Sequence, residues 1–144
     1  MFDKILYPTD FSEIAHKALP YIEALKSAGA NEVIILHVND ETCVNTLRIF
    51  TAQDVLALEK RLKDSALNQI APLEDELRSK GFRVKSHIDN GIPFREILKV
   101  AEEENVSIII MGSHGKNSII EIMLGSVAEK VASRAHKPVL IVRR

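Results

Sequence analysis

Five short apolar runs punctuate the chain, and a stretch of helical spacing separates most of them. The runs are Lys4–Pro8, Val33–Val38, Phe82–Ile88, Val106–Met111 and Val139–Arg143. Between the first two, Ile14, Ala18, Tyr21, Ile22 and Leu25 recur at helical intervals. The next gap carries Val55, Leu58, Leu62, Ala66, Ile70, Leu73 and Leu77, and the one after it Ile97, Leu98 and Ala101. All but the third, which alternates, are near-continuous aliphatic runs, which read as strands buried on both faces. A helix between two strands returns the chain to the edge it left, so the strands lie parallel. The order βαβαβαβαβ therefore predicts an α/β fold. It is a single-domain, doubly wound, five-stranded parallel sheet of order 3-2-1-4-5, with helices on both faces.

Local signals set the expected boundaries. Ser12 caps a helix over 13–28, and Gly29 stops it. Residues 39–50 lack periodicity and read as a loop. A long helix covers 51–80, with a kink expected at Pro72 because an interior proline removes a backbone bond. Gly81 ends it, and the alternation from Phe82 to Ile88 marks an edge strand. Gly91-Ile92-Pro93 leads into a helix ending near Glu104, and a last helix spans 123–135.

Composition narrows the function. At 144 residues the chain supports one domain with a sizeable core. The net charge of −1 gives no basic excess for a phosphate-backbone footprint, so nucleic acid is not the expected partner. The apolar runs are far shorter than a membrane span. The start Met1-Phe2-Asp3-Lys4 does not resemble a signal peptide, and a cytoplasmic location is expected. Cys43 is the single cysteine, which rules out an intrachain disulfide and reads as a plain free thiol.

The informative stretch is residues 111–130. Gly112 and Gly115 follow the fourth strand, and Gly125-Ser126-Val127 opens the last helix. In an open parallel sheet, ligands bind at the carboxyl ends of the strands where the winding reverses. For order 3-2-1-4-5 that point lies between strands one and four, which end at Pro8-Thr9-Asp10 and Met111-Gly112. Glycines let backbone N–H groups approach an anion and tolerate positive φ. A helix N-terminus favours phosphate, and the Ser126 hydroxyl can donate to it. The pattern G-x2-G-x9-G-S is neither a Walker A loop nor the GxGxxG fingerprint.

The pattern resembles the ATP-binding motif of the universal stress protein family. The likeness extends through Ile5–Ser12, Leu36-His37-Val38, Gly91-Ile92-Pro93, Ser107–Gly115, Gly125–Val131 and Lys137–Val142; residues 39–75 lack specific matches. The resemblance implies that Pro8, Thr9 and Asp10 line the base and ribose pocket. It implies that the Val38 backbone holds the adenine, and that Met111 and Gly112 face the ribose and α-phosphate. Gly115, Gly125, Ser126 and Val127 would hold the phosphates, accompanied by Mg²⁺ or Mn²⁺. It also implies a homodimer joined through the last strand, Val139–Val142, with Arg143 and Arg144 beside the seam. Two departures lie at the phosphate end: Glu121 brings a negative charge, and Ala128 lacks a hydroxyl.

His114 is a candidate phosphate contact or acid–base group, set against a partly exposed loop histidine, and Lys116 a candidate γ-phosphate contact. His37 reads as a core-rim residue, and His16, His87 and His136 show no metal-ligand spacing. No persuasive catalytic set emerges. The expected role is an ATP-binding, homodimeric, nucleotide-responsive regulator of the stress response with an unidentified protein partner. The alternatives are a ligand-free dimeric interaction protein, a slow ATP phosphohydrolase and a flavin carrier of similar fold.

Overall fold

The computed structural model describes residues 1–42, 51–115 and 123–143. Its five parallel strands are β1 (Lys4–Pro8), β2 (Glu32–Asp40), β3 (Arg83–Gly91), β4 (Ile108–Gly112) and β5 (Val139–Val142). They form one sheet in the order β3-β2-β1-β4-β5, as the strand pattern predicts. Strand period explains the continuous apolar runs. Ile5, Tyr7, Val33, Ile35, Ile108 and Ile110 point into the core on one face. Leu6, Ile34, Leu36, Ile109 and Met111 point into the core on the other.

Helices cover both faces. Their ranges are α1 (Glu13–His16), α2 (Leu19–Ala24), α3 (Ala52–Ser79), α4 (Pro93–Glu103) and α5 (Ser126–Arg134). The first face is covered by residues of α2 and α3, through Leu19, Ile22, Ile70, Leu73 and Leu77. The second is covered by α4 and α5, through Phe94, Ile97, Ala128 and Val131.

Four boundaries differ from expectation. The helix expected over 13–28 is two short helices and a 3-10 turn at Leu25–Ala28. Pro20 sits in the first turn of α2. It has no N–H to give the carbonyl four residues back, and its ring would collide with that carbonyl, so one continuous helix is not allowed. The Ser12 cap is present, with its Oγ accepting from Ala15 N at 3.2 Å, and Gly29 ends the segment at φ +99°. Second, β2 runs on to Asp40, where a loop was expected. Asn39 and Asp40 pair with Asn90 and Gly91 of β3, and Asn39 Nδ2 donates to Asn90 Oδ1 at 3.1 Å. Third, β3 is the expected edge strand but reaches Gly91. Fourth, α5 starts at Ser126 rather than near 123, because Gly125 is still extended at φ −61°, ψ 156°.

Helix α3 opens with a reciprocal capping box between Thr51 and Asp54 and passes through Pro72 without ending there. Its 28 residues span about 42 Å at 1.5 Å per residue, longer than any strand beneath it. Its buried residues, Ala66, Ile70, Leu73 and Leu77, all lie in its second half. Val55, Leu58 and Leu62, which carry the same periodicity, stay half-buried. Cys43 lies outside the described residues.

Candidate functional site

The two segments expected to meet do meet. β1 and β4 are neighbours at the centre of the sheet, and Thr9–Ser12 and Ser113–Gly115 leave their carboxyl ends side by side.

Two turn-forming side chains, Thr9 and Asp10, build the β1 loop. Thr9 N donates to Leu36 O at 2.9 Å, which ties the loop to β2. The Thr9 hydroxyl accepts from Phe11 N, and Asp10 Oδ1 accepts from Ser12 N, each at 3.0 Å. These local bonds turn the chain back sharply. They hold Phe11 at φ +63°, an uncommon conformation for a bulky residue. The Phe11 ring stacks on His37 at 4.6 Å between centroids. His37 donates from Nδ1 to Thr9 O at 2.9 Å. His37, half-buried at the rim of the core as expected, also fastens this loop. Beneath it, the buried Tyr7 hydroxyl donates to Ala15 O at 2.8 Å and joins β1 to α1. Burial pushes that hydroxyl up to about 12; a Thr9 hydrogen bond opposes the rise and the Asp10 charge adds to it.

On the β4 side, Ser113 is fully buried and used on three sides. Its N–H donates to Val142 O and its carbonyl accepts from Gly125 N, both at 2.8 Å. Its hydroxyl meets His114 Nδ1 at 2.7 Å. The other ring nitrogen of His114, Nε2, meets the carbonyl of Met123. A carbonyl only accepts, so Nε2 carries the proton, and in the neutral ring Nδ1 accepts from the Ser113 hydroxyl. The partly exposed loop histidine expected at 114 is therefore corrected: the residue is buried, and it joins Ser113 to Met123 across the intervening chain.

The three signature glycines do not use the positive φ that glycine tolerates. Each stands where a Cβ has no room. At Gly112 it would sit 3.0 Å from Ile14 Cγ2 and 3.1 Å from Ala15 N, so the glycine lets α1 rest on β4. At Gly115 it would sit 2.9 Å from Asp10 Oδ2, and at Gly125 2.9 Å from Ser113 O. The spacing thus records close approach between the β1 loop, the β4 loop and the start of α5.

At that start Gly125 is the N-cap, and no side chain caps the helix. The first intrahelical bond runs from Glu129 N to Gly125 O, so Ser126, Val127 and Ala128 present the orphan N–H groups of the first turn. Ser126 is exposed beside them, and the dipole adds positive potential. Pro8 and Met111 are buried at the carboxyl ends of β1 and β4. Val38 is half-buried near the end of β2, two residues before the strand stops. Lys116 and Glu121 lie outside the described residues. Among the described residues, no three His, Cys, Asp or Glu side chains gather to hold a metal. Among the described residues, the backbone donors and the Ser126 hydroxyl suit an anion, while the Asp10 carboxylate suits a hydroxyl or a cation.

Sequence reasoning missed His37, Phe11, Ser113 and Tyr7. A histidine at the end of a buried strand was the available signal, and it needed the β1 loop beside it to acquire meaning.

Comparison with known proteins agrees with this architecture. The family model "Universal stress protein family" matches residues 1–143. Universal stress protein MJ0577 of Methanocaldococcus jannaschii is 46% identical over 156 residues, covering 100% of this chain and 96% of that protein. A solved structure of hypothetical protein MJ0577 superposes with a TM-score of 0.90 at 48% identity, covering 100% of this chain and 97% of that one. More distant universal stress proteins share the fold. One in complex with cAMP has TM-score 0.70 at 19% identity over 99% of this chain and 97% of its own. One from Archaeoglobus fulgidus in complex with dAMP has TM-score 0.65 at 20% identity over 99% and 98%. The chain belongs to the universal stress protein family.

Proposed function

We propose that this chain binds ATP, with Mg²⁺ or Mn²⁺ on the phosphates, and acts as a homodimeric, nucleotide-responsive regulator in the cytoplasm. One observation carries the reading. Asp10, Gly115 and Gly125 converge, from three separate segments, on the point where the sheet's winding reverses. The uncapped N-terminus of α5 lies in the same place, which gives a triphosphate its donors. In this reading Pro8, Thr9, Asp10 and Val38 receive the base and ribose. Met111 and Gly112 face the ribose and α-phosphate, and Gly115, Gly125, Ser126 and Val127 receive the phosphates. No three-residue metal cluster is among the described residues, so the divalent ion is held chiefly by phosphate oxygens. The shared fold is one in which distant relatives hold adenine nucleotides. Binding is favoured over turnover, since His114 directs both ring nitrogens to protein partners.

The edge position of β5 supports the dimer. Pro138 O and Val142 O accept from β4, so the backbone groups of Val139 and Ile141 face outward, unpaired by β4.

The test starts from purified protein. Any small molecule released on denaturation is identified by mass spectrometry, and the emptied protein is titrated with ATP and Mg²⁺ by calorimetry. Saturable binding that Gly115→Val weakens at least tenfold, with the fold retained, is the expected result. Absence of binding up to millimolar ATP overturns the reading in favour of a ligand-free interaction protein.

A further inference from the structure

Helices α4 and α5 lie side by side on one face of the sheet, and a cleft of about 180 Å³ opens between their carboxyl-terminal ends. Its apolar lining is Leu98 and Ala101 from α4 and Ala135 from the turn after α5. Its polar lining is Glu102, Arg134, His136 and Lys137. Pockets for drug-sized molecules run roughly 300–1,000 Å³, so this cleft is too small for one. It suits one apolar side chain, since a cavity of about 150 Å³ accepts benzene.

Along the same seam three cations gather on one ring. Lys130 Nζ lies 4.9 Å, Arg134 Cζ 5.0 Å and Arg95 Cζ 5.6 Å from the centre of Phe94. All three side chains are exposed. The ion pairs among the described residues involve none of them. Lys137, at the cleft, donates to the neutral Asn105 side chain at 2.9 Å. The one carboxylate lining the cleft, Glu102, faces His136 at 3.5 Å. The seam is therefore cationic on a protein whose net charge is −1. Like charges drawn to one ring repel each other, and an external anion relieves that repulsion. The ring also restrains the cations beforehand, which lowers the entropy lost when they pair with a partner.

We infer that the α4–α5 seam docks an acidic peptide segment of another protein, its carboxylates on Arg95, Lys130 and Arg134 and one apolar side chain in the cleft beside Leu98. Charge complementarity selects the segment, and the cleft distinguishes it from a plain polyanion. This docking is independent of nucleotide binding and stands whether or not ATP occupies the crevice.

The probe is a fluorescein-labelled decapeptide of eight glutamates around a central Leu-Phe pair, compared with its Ser-Ser counterpart and with a ten-nucleotide oligothymidylate. Fluorescence anisotropy with the full chain, at 50 mM and 300 mM salt, should show saturable binding of the Leu-Phe peptide. It should be at least fivefold tighter than the Ser-Ser peptide and weaker at high salt. Lys130→Glu with Arg134→Glu should weaken it at least tenfold, and the milder Lys130→Gln with Arg134→Gln should fall between. Circular dichroism confirms that both double variants remain folded. Any of three results overturns the proposal: no saturable binding at millimolar peptide, equal binding of the Ser-Ser peptide or the oligonucleotide, or unchanged affinity in the folded variants.

Discussion

Replacing Gly125 or Gly115 by alanine adds the same methyl group to two places with different neighbours, and the outcomes should separate. At Gly125 the new Cβ lies 2.9 Å from Ser113 O and 3.3 Å from His114 Cα, both backbone atoms. Neither can swing aside, so α5 and the β4 loop must move apart. That motion strains the packing by about 1–3 kcal/mol. It also lengthens the 2.8 Å bond from Gly125 N to Ser113 O, worth about 0.5–1.5 kcal/mol. Loss of glycine's freedom in the unfolded chain returns about 0.4–1 kcal/mol. The net is a destabilisation of about 0.5–4 kcal/mol, or roughly 2–16 °C in Tm for a domain of this size. At Gly115 the methyl meets, among the described residues, only Asp10 Oδ2, the tip of a side chain. Turning that carboxylate away weakens its bond to Ser12 N, and the unfolded-state gain offsets much of the loss. Gly115→Ala should therefore stay within about 1 kcal/mol of the parent. Calorimetric melting of ligand-stripped protein gives the comparison, because bound nucleotide would raise Tm by mass action. The contact reasoning fails if Gly125→Ala melts with the parent, or if Gly115→Ala falls as far as Gly125→Ala.

Ser126→Ala should weaken ATP binding by about 1–2 kcal/mol, roughly 5- to 30-fold in Kd, while the melting curve in the absence of nucleotide stays put; calorimetric titration reads it. Ile141→Pro removes an N–H that faces away from β4, so it should split the proposed β5-mediated dimer without unzipping the β4–β5 ladder. A single dimeric boundary in sedimentation velocity would reject strand pairing. Val142 is unsuitable for that purpose because it is buried in the core. The Tyr7 hydroxyl is raised from about 10 when unfolded to about 12 in the fold, so the fold favours its protonated form. That stabilisation is complete below pH about 10 and is lost as pH rises towards 12. Tyr7→Phe should flatten this part of the urea-midpoint profile and cost about 1–2 kcal/mol at neutral pH, because Ala15 O loses its buried donor.

Much of the site was legible because its elements are local. Ser12 capping α1 and Gly29 closing the 3-10 turn both depend on residues within four positions. Each could be read from short-range hydrogen bonding. The break at Pro20 was equally local and was overlooked, since Ile14, Ala18, Ile22 and Leu25 keep helical spacing across it. The extension of β2 to Asp40 was not local. Asn39 is polar, and only its Asn90 partner on β3 makes the strand worth continuing. His114 shows the same limit. A histidine in a glycine loop looks solvated until Ser113 below it and Met123 beyond it are placed.

Sequence alone determined the layer architecture, the strand order and the pairing of the Thr9–Asp10 segment with the Gly112–Gly125 segment. Apolar period, helix signals and parallel connection rules leave few ways to wind such a chain, and those rules need no side-chain coordinates. Tertiary structure decided why the glycines are glycines. The free φ expected of them is not used; what excludes a Cβ is the approach of Ile14, Asp10 and Ser113 from other segments. It also decided where positive charge collects. The near-neutral composition hides three cations from two helices drawn to one Phe94 ring. Steric exclusion and electrostatic grouping both act between residues far apart in the chain, so their distances exist only once the fold has formed.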